Sequence, residues 1–320
     1  MNFTQIDLSL IPAPDIVETL SFEAIVADML ADLQVRDSAF SALLESDPAY
    51  KILEVAAYRE LLLRQRVNDA ALAVMLAKAK GPQLDQFGAN PIYNVQRLLI
   101  TPADPNAIPP VAAVYEQDEP FRRRIQLAFE GITTAGSIGS YIFHGLSASG
   151  DVEDIAVDAV EFHLDGTGLV VIDYAANLIT PEPGMVAITV LSRLGNGSAD
   201  ALLLALVDTA LRADKVRPLT DRLTVRSVEV IDYVIDATLY FYDGPSSATV
   251  LQAATDALNA YKASARKVGE DITLAGIYAA LKPPGVQNVV LASPVADVVI
   301  GKHQVGYCTG ITLTNGGVSV

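Results

Sequence analysis

The sequence predicts an α+β chain, an N-terminal helical region followed by two small mixed α/β sandwich-type domains. Three observations carry this reading. Over roughly the first eighty residues, apolar positions recur at spacings of three and four, the helical period. Beyond Ser149, short runs with strand character alternate with helical ones, as in small α+β sandwiches. Between these regions, residues 91–120 carry six prolines and little periodicity. The expected boundaries are 1–90 for the helical region, 91–149 for a proline-rich arm with short helices, 150–230 for a first α+β domain and 231–320 for a second.

Residues 15–47 read as one or two helices through Leu20, Ile25, Met29, Leu33, Phe40 and Leu43. Asp47 then offers a cap and Pro48 a first-turn residue for a helix running to about Lys80, which Gly81-Pro82 ends. Within it, Leu53, Ala56, Leu63, Val67, Ala70, Val74 and Ala77 form a heptad-like seam interrupted by Glu60. Asp118-Glu119-Pro120 opens a short helix with acids at its positive end. Val152–Val160, Gly168–Tyr174 and Met185–Leu191 read as strands, the first two joined through the turn Asp165-Gly166-Thr167-Gly168. A helix over Ser198–Arg212 precedes one long or bent strand over Leu223–Tyr242. Helices over Ser246–Ala265 and Asp271–Leu281, and strands over Val286–Leu291 and Ile311–Val320, complete the chain.

Composition narrows the function classes. The chain has 320 residues, 51% of them hydrophobic and 19% charged, which excludes a disordered or collagenous chain and provides for a sizeable core. A net charge of −16 disfavours direct binding of nucleic acid or of an anionic membrane surface. The apolar run Ala70–Ala77 falls far short of the roughly 18 residues needed to span a bilayer, and no targeting segment is expected at the N-terminus. Cys308 is the sole cysteine, so there is no intrachain disulfide and no CxxC metal framework. Charge is also unevenly placed. Residues 1–47 hold nine acids and one base, whereas residues 48–80 hold six bases and three acids, so adjacent helices of opposite sign are predicted to pair within the chain or across to a partner.

Little in the sequence carries reaction chemistry. Gly195-Asn196-Gly197-Ser198 superficially matches a dinucleotide fingerprint, but Asp200 stands at the third glycine position and would repel a pyrophosphate; a hairpin exit with Ser198 capping the next helix fits better. No P-loop, HExxH helix or GxSxG elbow occurs. His144, His163 and His303 are far apart in sequence, and Cys308 has no nearby base, so it is read as a buried small hydrophobe. Arg122-Arg123-Arg124 fan about 100° apart on a helix and read as ties to acids such as Glu116, Asp118 and Glu119 rather than as a phosphate clamp. Arg217-Pro218-Leu219-Thr220-Asp221 reads as a rigid turn in which Thr220 or Asp221 holds the arginine. No catalytic residue, cofactor or metal ligand is assigned.

Seven stretches together resemble one family. They are DLSLIPAPDIVETLSFEAI, DPAYKILEVAAYRELLLRQRVNDAALAVMLA, QDEPFRRRIQLAFEGITTAGSIGSYIFHGLSASGDVEDIAV, VRPLTDRLTV, IDATLYFYDGP, DITLAGIYAALKPPGVQNVVL and SPVADVVI. In this order, and over nearly the whole chain, they are similar to the baseplate J-like proteins of contractile-tailed phages and related injection particles. Phe129 stands where the family pattern has a proline.

The resemblance implies a structural baseplate wedge protein with no active site. It implies a second copy of the chain and a smaller I-type wedge protein as partners, with N-terminal helices intertwined in a core bundle. C-terminal domains would pair between neighbouring wedges to close a ring around the tail hub, near the sheath-initiator or lysozyme-like baseplate protein. The implied location is the virion tail baseplate, assembled in the host cytoplasm. Among residues of this sequence, Leu53, Leu63, Val67 and Val74 are the expected partner interface. Two other readings stand beside it: the same architecture in a phage-derived bacteriocin or injection device, and a soluble hydrolase with a composite site involving His144 or His163.

Overall fold

The computed structural model describes residues 8, 11–12, 14, 17–40, 44–133, 136–244 and 246–318. Asp7, Asp15, Leu43 and the last two residues of the final expected strand lie outside them. The chain divides into two compact units, Met1–Gln96 and Arg97–Val320.

The first unit is helical. Helix α1 (Phe22–Arg36) starts where Ser21 Oγ accepts the Ala24 N–H at 3.2 Å, satisfying a donor that the first turn leaves unpaired. Helix α2 (Pro48–Ala73) starts at the expected proline. Asp47 does not cap it through its side chain. Its carboxylate instead accepts the Leu44 N–H at 2.8 Å and closes the preceding turn. Ile25, Val26 and Ala57 are buried between the two helices, with Phe22, Met29, Tyr50 and Leu61 around them. Asn68, buried on α2, donates to Glu18 O at 2.9 Å and accepts Glu18 N–H at 3.1 Å, so the segment entering α1 is clamped on both backbone groups.

One expected boundary is corrected here. Helix α2 ends at Ala73, not near Lys80, and residues 74–78 form turns. Gly81-Pro82 does not terminate a helix but starts one, α3 (Gly81–Ala89), with Gly81 at φ +50 and the proline in the first turn, where its missing N–H costs nothing.

The second unit begins with the proline-rich stretch, which is more ordered than its composition suggests. Strands β1 (Leu99–Thr101) and β2 (Val114–Tyr115) pair antiparallel, and Asp104 and Val111 form a further bridge, so Pro102, Pro105, Pro109 and Pro110 occupy the loop of a hairpin. Helix α4 (Asp118–Leu127) follows with its acids in the first turn, then a 3₁₀ turn over Glu130–Ile132 that starts just beyond Phe129, and helix α5 (Ile138–Leu146) capped by Ser137.

Two sheets with helices packed on them make up the rest. The first has order β3-β6-β7, with β3 (Val152–Ala159) antiparallel and β7 (Arg222–Ser227) parallel to β6 (Met185–Ser192). A separate two-stranded hairpin, β4 (Glu161–Leu164) and β5 (Val170–Tyr174), extends from it; β4 was not expected, and the Asp165–Gly168 turn joins β4 to β5. Helix α6 (Ala201–Leu211) links β6 to β7. Its cap is Asp200, whose Oδ1 accepts the Leu203 N–H at 2.8 Å, and not Ser198 as expected. Tyr141, Ile155, Ile188 and Val207 lie in the core of this layer.

The second sheet has order β10-β8-β9, formed by β8 (Glu229–Phe241), β9 (Val286–Ser293) and β10 (Gln304–Val318), with β10 parallel and β9 antiparallel to β8. Helices α7 (Ser247–Ala265) and α8 (Leu274–Leu281) complete it over a core that includes Ile235, Leu239, Phe241, Leu258 and Ile277.

The single strand expected over Leu223–Tyr242 is two strands in two sheets. The reason is in the backbone: the Val228 N–H bonds Val190 O in the first sheet at 3.0 Å, and the next amide, Glu229 N–H, bonds His303 O beside the second at 3.0 Å. The last strand also begins seven residues before Ile311. Leu191, Val228 and Val305 form a small shared core between the layers. The Val268 N–H to Asp154 Oδ2 bond at 3.0 Å and the Arg266–Glu153 pair at 3.2 Å reinforce it. Burial pushes the Glu153 carboxyl up, and the Arg266 charge pulls it back.

Candidate interaction surface

Helix α2 is apolar on two sides, and among the described residues only one of them is covered. At about 100° per residue, Tyr50, Ala57, Leu61 and Asn68 fall on a stripe that faces α1. The expected seam is turned away from that stripe. Leu53 is half-buried at its margin, while Leu63 and Val67 are each 65% exposed and Val74, just past the end of the helix, is 73% exposed.

Three further apolar side chains, Ile52, Val55 and Leu62, extend this open face round the helix. The heptad reading missed them, although their spacings of three and seven residues are a helical-face signal in their own right. Arg59 and Arg66 stand exposed among them. An apolar strip of this kind with interspersed cations is suited to a partner's apolar surface edged with carboxylates.

The charge contrast between the two helical stretches is used sparingly within the chain. Arg64 reaches Glu18 at 3.5 Å and Glu60 at 2.6 Å, whereas Arg36–Asp32 and Lys51–Glu54 pair along their own helices. Exposed pairs of this type are largely screened by solvent, so they set register more than affinity.

The other singled-out residues have structural partners. Arg124 forms a two-pronged pair with Glu116 at 2.6 and 3.0 Å, Arg123 reaches Asp154 at 2.7 Å, Arg122 pairs with Glu119, and Arg97 takes Asp118. Arg123 and Arg124 therefore tie α4 to its surroundings, whereas the Arg122–Glu119 pair runs along the helix itself. Arg217 donates to the backbone carbonyl of Asp221 at 2.9 Å, not to its carboxylate, which accepts the Tyr141 hydroxyl at 2.6 Å. That bond and burial together raise the Tyr141 pKa, with burial the larger cause.

The histidines sit in three separate settings. His144 Nε2 bonds Gly131 O at 3.1 Å, His163 Nδ1 faces Asp173 at 2.8 Å on the exposed hairpin, and His303 lies between Glu229 at 3.0 Å and Asn177 at 2.8 Å. Among the described residues no group of three His, Cys, Asp or Glu is arranged to hold a metal ion. Cys308 is half-buried rather than buried, its Sγ donating to Gly310 O at 3.3 Å; the break in β10 register between Cys308 and Gly310 keeps it from the fully packed position expected of it. The Gly195–Ser198 cluster is a turn closed by the Ser192 N–H to Gly197 O at 2.8 Å. No helix of the described chain is long and apolar enough to cross a membrane.

Comparison with known proteins decides the family. Residues 45–104 match the model of the baseplate J-like N-terminal domain, and residues 233–314 that of the baseplate J-like protein C-terminal domain. The chain is 47% identical over 319 residues to baseplate protein J of Escherichia phage P2, covering 98% of both chains. It belongs to the baseplate J-like family. A solved baseplate of the anti-feeding prophage contains a chain that aligns with 62% of this one and 43% of its own length, at 14% identity and a TM-score of 0.41.

This baseplate J-like protein is thus a component of a phage tail baseplate and associates with other baseplate components. The N-terminal match begins just before α2 and takes in the open face of that helix. The C-terminal match spans most of the β10-β8-β9 layer.

Proposed function

We propose that this chain is a wedge subunit of a contractile tail baseplate. In this reading two copies join one smaller I-type wedge protein through the N-terminal helices, and neighbouring wedges close a ring around the hub through the C-terminal layer. Assembly takes place in the host cytoplasm, and the role is mechanical rather than enzymatic. The regions 1–90, 91–149, 150–230 and 231–320 serve as bundle, arm, inner domain and ring domain. The observation that carries the reading is the open apolar face of α2, with Leu63, Val67 and Val74 exposed in a chain whose full length matches a baseplate protein. Leu53, at the margin of that face, would be covered together with them.

The test is co-expression with the neighbouring tail proteins, affinity purification through this chain, and native mass spectrometry. A complex of two copies with one smaller protein is expected; a monomer that retains none of the tail proteins would overturn the wedge. Leu63→Asp places a charge in the centre of the seam and is expected to abolish the complex, a loss of at least about 2 kcal/mol. The thermal transition of residues 97–320 should remain. Normal recovery of the partner with this variant would exclude the seam.

A further inference from the structure

The hairpin β4–β5 carries a second surface that the wedge reading does not use. Strand β3 is flanked by β6 only as far as Val160, whose N–H bonds Met185 O at 3.0 Å at the very start of β6. Beyond that point the chain loses its neighbour and pairs with β5 alone, so the hairpin stands off the first layer. Its register puts Phe162 opposite Ile172 and Leu164 opposite Val170, all on one face.

The base of that face is covered: Ile172 packs beside Val160, Ala176 and Ala187. Toward the tip the cover ends. Phe162 is 46% exposed, Leu164 62% and Val170 50%. An isolated two-stranded hairpin is marginal in water, yet this one is held at both ends. At the tip Asp165 Oδ1 accepts Thr167 N–H at 2.8 Å, Leu169 N–H at 2.9 Å and Thr167 Oγ1 at 2.6 Å. At the base the Tyr174 hydroxyl donates to Asp158, and Lys302 lies 4.7 Å over the Tyr174 ring. The apolar face is therefore presented in one conformation, which lowers the ordering cost of binding.

The surrounding charge selects the partner. From Ile125 to Ser192 the sequence has no Lys or Arg, and Glu161, Asp165 and Asp173 lie on the hairpin itself, with Asp173 facing His163 at 2.8 Å. The cations near its base are engaged: Lys302 with Asp158 at 3.6 Å, and Arg226 with the carbonyls of Asn177 and Ala176 at 2.7 and 3.1 Å. An apolar strip edged by carboxylates favours a groove edged by Lys and Arg and disfavours a second acidic hairpin of its own kind.

We propose that the β4–β5 hairpin is a docking element that inserts Phe162, Leu164 and Val170 into an apolar groove, rimmed by Lys and Arg, on a different tail protein. The proposal rests on the chain being a baseplate subunit, and its test separates the two claims. Thr167→Cys, at the exposed tip, is labelled with a maleimide in the free chain and in purified particles. The label is read by peptide mass, so that reaction at Cys308 is counted separately. In parallel, particles are treated with a carbodiimide, which joins carboxylates to nearby lysines.

Expected are at least tenfold slower labelling of residue 167 in the particle and cross-links from Glu161 or Asp173 to lysines of another tail protein. Equal labelling in both states overturns the docking. Protection without any lysine cross-link overturns the basic rim, and cross-links only to a second copy of this chain overturn the identity of the partner. A chain absent from the particle overturns the baseplate reading and the hairpin proposal together, whereas a chain that is incorporated with an open hairpin overturns the hairpin alone.

Discussion

At the scale of single residues, burial decides which charges matter. Arg124 and Glu116 are 5% and 4% exposed at their side chains and make two short bonds to each other, so truncating the arginine leaves a carboxylate without its counter-charge in the interior. Arg124→Met is expected to cost about 3–5 kcal/mol in urea unfolding of the second unit. Arg222→Ala, on an exposed pair with Glu182 in the same unit, should leave the midpoint unchanged. His144 supplies a pH-dependent counterpart. Burial lowers its pKa from the ordinary 6.5, only partly offset by its bond to Gly131 O. The unfolded chain therefore takes up this proton before the folded one does. The stability that the neutral ring contributes is complete above pH 6.5 and falls as pH drops through the lowered folded value. Replacing His144 by Gln should flatten the slope of unfolding free energy just below pH 6.5; an unchanged slope would assign that dependence to other groups.

Between elements, close packing is set by a few positions without side chains. Gly276 lets α8 approach α7 so nearly that an added Cβ would sit 2.4 Å from Tyr261 Cε2. That ring has little room to retreat, because its hydroxyl accepts the Thr273 N–H at 3.1 Å and donates to Thr273 O at 3.4 Å. Gly276→Ala is expected to destabilise the second layer by about 1–3 kcal/mol, seen as a lower Tm, despite alanine's better helix propensity. Such constraints explain what could be read in advance. Helices with a continuous apolar period, such as α7, and strands bounded by turn residues, such as β5 and β6, were legible because local pattern and tertiary role agree. The split at Val228 was not, since apolar character continues through it and only the change of hydrogen-bond partner marks the boundary. Gly81-Pro82 was misread because the same pair suits a helix end or a helix start. On α2, the period showed that apolar faces exist but not which of them α1 covers; Leu63 and Val67 were legible as apolar positions, while Ile52, Val55 and Leu62 joined them only once the covered stripe was known.

For the molecule as a whole, the two units differ in how far they can stand alone. The Arg97–Val320 unit holds two layered cores and a bridging one, built wholly from its own residues. By contrast, the described contact between α1 and α2 fully buries Ile25, Val26 and Ala57, while much of the apolar surface of α2 stays open. Ordering the backbone costs about 1–2 kcal/mol per residue, and burial returns about 25 cal/mol per Å², so a 26-residue helix covered on one stripe draws much of its stability from whatever covers the other. Residues 97–320 expressed alone should therefore melt in one sharp, concentration-independent transition. Residues 1–96 alone should show a broad transition whose helicity rises with concentration as further copies cover the open face, by mass action. Far-UV circular dichroism over a hundredfold concentration range separates the cases. A sharp, concentration-independent melt of residues 1–96 would mean that α1 and α2 suffice for each other, and the seam would then hold partners without being needed to hold its own helix.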